Sequence, residues 1–372
     1  MSALTDRLQK RIRSEGPITF YEWMKAALYD PELGYYCRSD RERWGRQGDY
    51  RTSPERSLLF AATFARYFAR LYQELGSPAA LTIVEVGAGA GHFAETVVET
   101  LQQRFPDIFS KTHYIIDEAS PDSSSRARLR LARFGTRIDS QPLAAHDRLD
   151  YAIVFSNELL DAFPVHRVIM QGGELHELHV GVNGNGSFEW TIGQVTTHRL
   201  NEHFPRLGIQ LGEGQIADVN LEIENWLELV SRKVTSGYVI TVDYGAEASV
   251  LYSDEKRGGS LRAFYKHQVS GDVFLQPGQL DITSSVDWTL VKMAGARNGL
   301  EVVAFERQDR FLLDNGLLAE MELRVSETPR ESERLLVSTS AREMILPGSM
   351  AESFQVMVQK KNVVLQDKLW HV

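Results

Sequence analysis

IVEVGAGAGHF, residues Ile83 to Phe93, joins a short β-branched, apolar run to glycines at every second position, Gly87, Gly89 and Gly91. LTIVEV before the glycines reads as a buried strand, and FAETVVETLQQRF after them has helical spacing. Strand, glycine loop and helix open an α/β unit. Glycines at a helix start let a ligand approach bare backbone. A dinucleotide fingerprint spaces them G-x-G-x-x-G. Here the series is G-x-G-x-G, with an acidic residue, Glu85, on the strand just before it. The spacing therefore points away from a nicotinamide cofactor. A plain turn is the competing explanation for the glycines.

Outward from this unit, THYIIDE predicts a second strand, SSSRARLRLARF a basic helix, TRIDS a third strand and LDYAIVFSNE a fourth. Such alternation predicts a parallel sheet with helices on both faces. Glu118 ends the second strand, where a carboxylate can accept hydrogen bonds from both hydroxyls of a ribose. The alternating arginines of RARLRLAR read as a solvated helix face covering the sheet. Asn157, Glu158 and Asp161 in SNELLDAFPVHRV stand at the carboxyl end of the fourth strand, which lines the ligand crevice of an open sheet. On one helical turn Glu158 and Asp161 would share a face, and two carboxylates there can hold a planar guanidinium.

Residues 165 to 192 read as a β-meander punctuated by Gly and Asn, followed by the helix NLEIENWLELVSRKV and a fifth strand, GYVITVDYG. The segment 245–287 is too long for an ordinary connection and reads as a functional loop or lid. LEVVAFERQ and ESFQVMVQKK would complete the sheet, with a helical segment between them. Ala3 to Arg13 and Thr19 to Leu28 read as helices, and SLLFAATFARYFARLYQEL as a long one with Pro54 and Glu55 beside its start. The expected division is 1–78 as a helical N-terminal region with a cofactor-capping loop, 79–164 as the first part of the sheet domain, 165–235 as an insertion, and 236–372 as the second part.

The chain has 372 residues, 43% hydrophobic and 24% charged, without an apolar run of membrane-spanning length. A net charge of -9 makes nucleic acid a poor partner and suits a cationic ligand better. Cys37 is the only cysteine, which excludes an internal disulfide and a cysteine-built zinc site and fits a cytoplasmic location. His92, His166 and His267 stand on different elements without metal-ligand spacing, so no metal is expected. Of the three, His267 is the best candidate for a site residue because it falls in the proposed lid.

GPITFYEWMKAALYDPELGYY, GDYRTSPE, VEVGAGAGHF, EASP, SNELLDAFPV, VITVDYG, GGSLRAFYKH and PGQLDITSSVDW, in this order, resemble the MidA-like S-adenosylmethionine (SAM) methyltransferases. The resemblance runs from about Leu4 to about Val358, and the combination carries it rather than any one motif. That family includes a mitochondrial assembly factor that methylates an arginine on a respiratory complex I subunit. The resemblance implies an α/β fold, a Rossmann-like seven-stranded sheet with a helical N-terminal region and an inserted α+β substrate-binding segment. It makes Glu85, Gly87, Gly89 and Gly91 the SAM loop and Glu118 the ribose ligand. It sets Asn157, Glu158 and Asp161 where cofactor meets substrate, as the catalytic group. Asp49, Ser53 and Glu55 would close over the cofactor, and Asp281 and Asp287 would line the substrate side. The chain departs from the family at Ala88, Ala90, His92 and Phe93 in the loop, and at Arg51 and Arg56 in GDYRTSPE and just after it.

The function expected is methyl transfer to an arginine of a protein partner. A small-molecule O- or N-methyltransferase and a SAM-binding assembly factor with little turnover stay open beside it.

Overall fold

The computed structural model describes residues 2–38, 58–265, 268–346 and 353–363. They form two compact units. One holds the described part of Met1–Tyr50 with Leu159–Trp226 and Tyr244–Ala294; the other holds the described parts of Arg51–Glu158, Leu227–Asp243 and Gly295–Val372. Both are discontinuous in sequence. The region expected as one N-terminal block, 1–78, is divided between them, and segment 245–287 falls with the N-terminal helices and the meander.

The sheet unit contains strands β1 (Leu81–Val86), β2 (Thr112–Asp117), β3 (Ile138–Ser140), β4 (Leu149–Asn157), β5 (Val234–Ala246, of which the part from Tyr244 on belongs to the other unit), β6 (Glu301–Arg307) and β7 (Phe354–Lys361). Their spatial order is β3-β2-β1-β4-β5-β7-β6. The five strands from β3 to β5 are parallel, and β6 pairs antiparallel with β7. This is the seven-stranded sheet expected from the sequence. Its β-branched interiors are buried on both faces, as parallel strands require. Gly237 on β5 faces Ala152 on β4 so closely that a Cβ there would stand 1.8 Å from the Ala152 carbonyl oxygen.

Helix Leu58–Glu74 presents Phe60, Phe64 and Phe68 at four-residue spacing, all fully buried. Phe93 joins them and stacks on Phe155 of β4 with ring centroids 4.3 Å apart. Burying each such ring is worth roughly 1.5–3 kcal/mol, so this aromatic layer fixes the helix after the glycine loop against β4. The same unit buries Glu320 completely on helix Leu317–Glu327, where Arg66 Nε (3.2 Å) and the Arg104 guanidinium bond its two oxygens.

The second unit begins with helices Ala3–Glu15 and Phe20–Tyr29, capped by Ser2 and by a Thr19–Glu22 capping box. Their apolar faces contribute Leu4, Leu8, Ile12, Phe20, Trp23 and Met24 to one core cluster. An antiparallel sheet of Ile18–Thr19, His166–Gln171, Glu174–Val182, Phe188–Gly193 and Ile216–Val219 contains the predicted meander. His166 is structural: Nδ1 lies 2.7 Å from Glu177 and the ring stacks on Tyr21.

Segment 245–287 is not one open loop. It contains helix Ala248–Leu251, strands Arg262–Tyr265, Gln268–Ser270 and Asp281–Thr283 in a small antiparallel sheet, and Val286–Asp287, which pairs with the end of β5. Asp218 anchors it by accepting from the backbone N–H groups of Ser260 (2.5 Å) and Leu261 (3.1 Å). Strands of two to four residues leave too short a pattern for alternation to reveal them. No described helix is long and apolar enough to cross a membrane.

Candidate functional site

The carboxyl ends of β1, β2 and β4 carry the predicted cofactor residues of the sheet unit. After β1 the backbone turns through Gly87, Gly89 and Gly91, all in the left-handed region at φ 74°, 54° and 78°. L-residues rarely adopt it, so the G-x-G-x-G series is a conformational requirement. Gly91 has a second reason to be glycine. A Cβ there would lie 3.0 Å from the Ala127 Cβ and 3.1 Å from its Cα, so the close approach is to helix Pro121–Leu131 rather than to open space.

Glu118 ties the loop to that helix. One oxygen accepts the Gly89 N–H and the other the Ser120 N–H, each at 2.7 Å. Ser120 is itself the helix N-cap, its hydroxyl accepting from Ser123 N–H. The predicted ribose ligand is thus held by two backbone donors while it fixes the loop.

Glu85 is buried, and the Tyr114 hydroxyl donates to it at 2.7 Å. Burial pushes its carboxyl up to about 8; the Tyr114 bond opposes the shift and the nearby Glu118 charge adds to it. At neutral pH, Glu85 therefore carries a proton. Tyr114 escaped the sequence reading, although a tyrosine hydroxyl in a strand buried within the sheet is a signal that a buried partner exists.

At the end of β4, the Asn157 amide donates to Glu158 Oε1 at 3.0 Å, while its own Oδ1 is buried with no hydrogen-bond partner among the described residues. An orphaned acceptor at a strand carboxyl end fits a ligand that brings a donor, as the ammonium or hydroxyls of SAM would. Glu158 follows in the left-handed region at φ 52°, its N–H bound to the Val242 carbonyl of β5 at 2.9 Å. A non-glycine residue held there stores strain.

The expected helical turn across Glu158 and Asp161 is absent. Residues 158 and 160–163 are bends and turns; Glu158 takes the left-handed region, and Pro164 disfavours the helical region for Phe163 just ahead of it. The shared face that would have paired the two carboxylates therefore does not form by that route.

Asp161, Asp281 and Asp287 belong to the second unit and are all buried. The Asp161 turn is held by its backbone carbonyls: Leu160 accepts from Asn220, Asp161 from Ser284 N–H and Ala162 from the Tyr29 hydroxyl. Asp281 accepts the Tyr36 hydroxyl at 2.6 Å. Asp287 accepts the Leu290 N–H at 3.1 Å at the start of helix Trp288–Arg297, and burial pushes its carboxyl up to about 6. Capping is thus a structural duty of Asp287 that its sequence context hid. Asp49, Ser53, Glu55 and His267 lie outside the described residues, as do Pro54 and the expected start of the long helix.

The S-adenosyl-L-methionine-dependent methyltransferase family matches residues 63–306, about two-thirds of the chain. A protein arginine methyltransferase NDUFAF7 homolog of Drosophila melanogaster is 26% identical, covering 97% of this chain and 86% of that protein. The protein arginine methyltransferase NDUFAF7 of Danio rerio is 27% identical, covering 95% and 86%. A crystal structure of a Burkholderia thailandensis protein bound to S-adenosyl-homocysteine has a TM-score of 0.87 at 27% identity, covering 97% of this chain and 92% of that one. The cytoplasmic location expected from cysteine usage is overturned by these similarities: the Drosophila and Danio relatives are named as mitochondrial proteins. One reduced cysteine reports a redox environment, and more than one compartment supplies it.

Proposed function

The chain belongs to this family of SAM-dependent methyltransferases, and we propose that within it the enzyme methylates an arginine side chain of a protein partner. Near-full-length similarity to relatives named protein arginine methyltransferases supports the reading. The observation that carries it in the structure is a strained carboxylate, Glu158, beside the orphaned Asn157 acceptor. The acceptor that the family resemblance implies is a subunit of a respiratory complex I-type assembly.

Bound SAM supplies an electrophilic methyl group on a sulfonium. Gly87, Gly89 and Glu118 would hold the nucleoside end, and Asn157 would accept from one of its donors. Glu158 would bind the guanidinium through charge-assisted hydrogen bonds and orient one nitrogen for in-line attack. A nitrogen that receives the methyl group becomes acidic, and a carboxylate or water would take its proton. Alignment of this kind contributes on the order of 7 kcal/mol.

Labelled SAM incubated with the protein and a lysate tests the reading. Label on a protein band, traced by mass spectrometry to methylarginine, supports it; label in the small-molecule fraction, or none, sinks it. Glu158→Gln should lower transfer about a hundredfold while leaving SAM affinity unchanged.

A further inference from the structure

We infer that Arg130 is a positioning residue for methyl transfer: its guanidinium fixes the glycine loop against helix Pro121–Leu131 in the shape that receives the cofactor. The three arms of the guanidinium meet three successive points where the loop becomes a helix. Nε donates to the Ala90 carbonyl at 2.9 Å, Nη1 to Glu95 at 2.8 Å, and Nη2 lies 3.2 Å from His92 Nε2. Arginine only donates, so His92 Nε2 accepts and the ring carries its proton on Nδ1. Burial and the Arg130 charge hold the His92 pKa below its ordinary value, in keeping with that neutral form.

The loop is held from both ends of this helix, by a residue just ahead of its N-cap and by residues of its last turns. Glu118, beside the N-cap, binds Gly89 N–H and Ser120 N–H; near the other end Ala127 presses on Gly91, and Arg130 binds Ala90. Two side chains thus hold the loop's backbone, one through an N–H and the other through a carbonyl: Glu118 from the connection that leads into the helix and Arg130 from the helix itself. Loop shape and Glu118 position are set together. A planar fork with three directed donors can do this, whereas an ammonium on a flexible stem cannot hold the three points in one plane.

Arg133 supplies the control, because it pairs with Glu95 and Glu99 on the exposed side and is not bonded to the loop backbone. The test uses Arg130→Ala, Arg130→Lys and Arg133→Ala in the full-length protein. Binding of SAM and of S-adenosyl-homocysteine is measured by calorimetry, melting temperature without ligand by scanning, and loop exchange by hydrogen–deuterium mass spectrometry. Arg130→Ala and Arg130→Lys should weaken both ligands about tenfold, the loss of a charge-assisted anchor, and speed amide exchange across residues 87–93 with the melting temperature nearly kept. Arg133→Ala should bind as the parent does. Unchanged affinity in Arg130→Ala, full recovery in Arg130→Lys, or a fall in melting temperature with exchange rising throughout the sheet would each overturn the assignment.

Discussion

Replacing Glu85 by glutamine tests the electrostatics of the glycine loop without changing its shape. The side chain is buried, and glutamine keeps an oxygen for the Tyr114 hydroxyl. The carboxyl sits near 4.5 when solvated and is pushed up to about 8 in the folded protein. Its folded-state pKa is therefore above its unfolded one. Below pH 4.5 both states are protonated and the site costs nothing through ionisation. Between pH 4.5 and 8 the unfolded chain releases a proton that the folded one keeps, so stability falls as pH rises, by up to about 1.4 kcal/mol per unit. Above pH 8 the penalty is complete, with a ceiling of roughly 5 kcal/mol. Relaxation of the site around the ionised carboxylate reduces this, so a difference of about 2–3 kcal/mol is expected. Glu85→Gln carries no such proton. Urea unfolding of the ligand-free parent and variant should give similar stabilities near pH 5 and a steadily growing advantage for the variant up to pH 8. A gap that stays constant across that range, or one that favours the parent as pH rises, refutes the buried, protonated carboxyl.

Glu118→Gln exchanges an oxygen that accepts a backbone N–H for an NH2 group facing the same donor, and should weaken SAM binding roughly tenfold to a hundredfold by calorimetry. In that background the Glu85 carboxyl loses a repelling neighbour, so the pH slope just described should shrink. Glu320→Ala leaves the Arg66 and Arg104 guanidiniums without their shared buried carboxylate. It should destabilise the protein by about 3 kcal/mol in chemical denaturation, and restoration by Glu320→Gln to parental stability would count against a charge-based role.

The sheet was legible because its parallel strands are short β-branched runs bounded by glycine or by helices of clear period, and the G-x-G-x-G spacing reports a backbone need that the φ angles bear out. Glu118 was legible as a strand-end carboxylate, although its two backbone donors were not. The turn after Asn157 misled because NELLDAF has helical composition, whereas Glu158 takes the left-handed region with its N–H bound to the Val242 carbonyl. Arg130 was hidden among alternating arginines. Which of them turns inward depends on Ala127 and Leu131, small and apolar, facing Gly91, a tertiary fact that periodicity cannot supply.

β7 is made last of the seven sheet strands, yet it lies between β5 and β6. While the chain is being synthesised, β1 to β5 can assemble as a parallel block, but the outer edge of β5 has no partner and β6 has nowhere to dock. The sheet therefore closes by insertion, with an open hydrogen-bonding edge persisting until residues 354–361 arrive. An edge of that kind recruits other strands. Truncations or frameshifts ahead of Phe354 should thus yield chains that associate with one another, rather than smaller enzymes with reduced turnover.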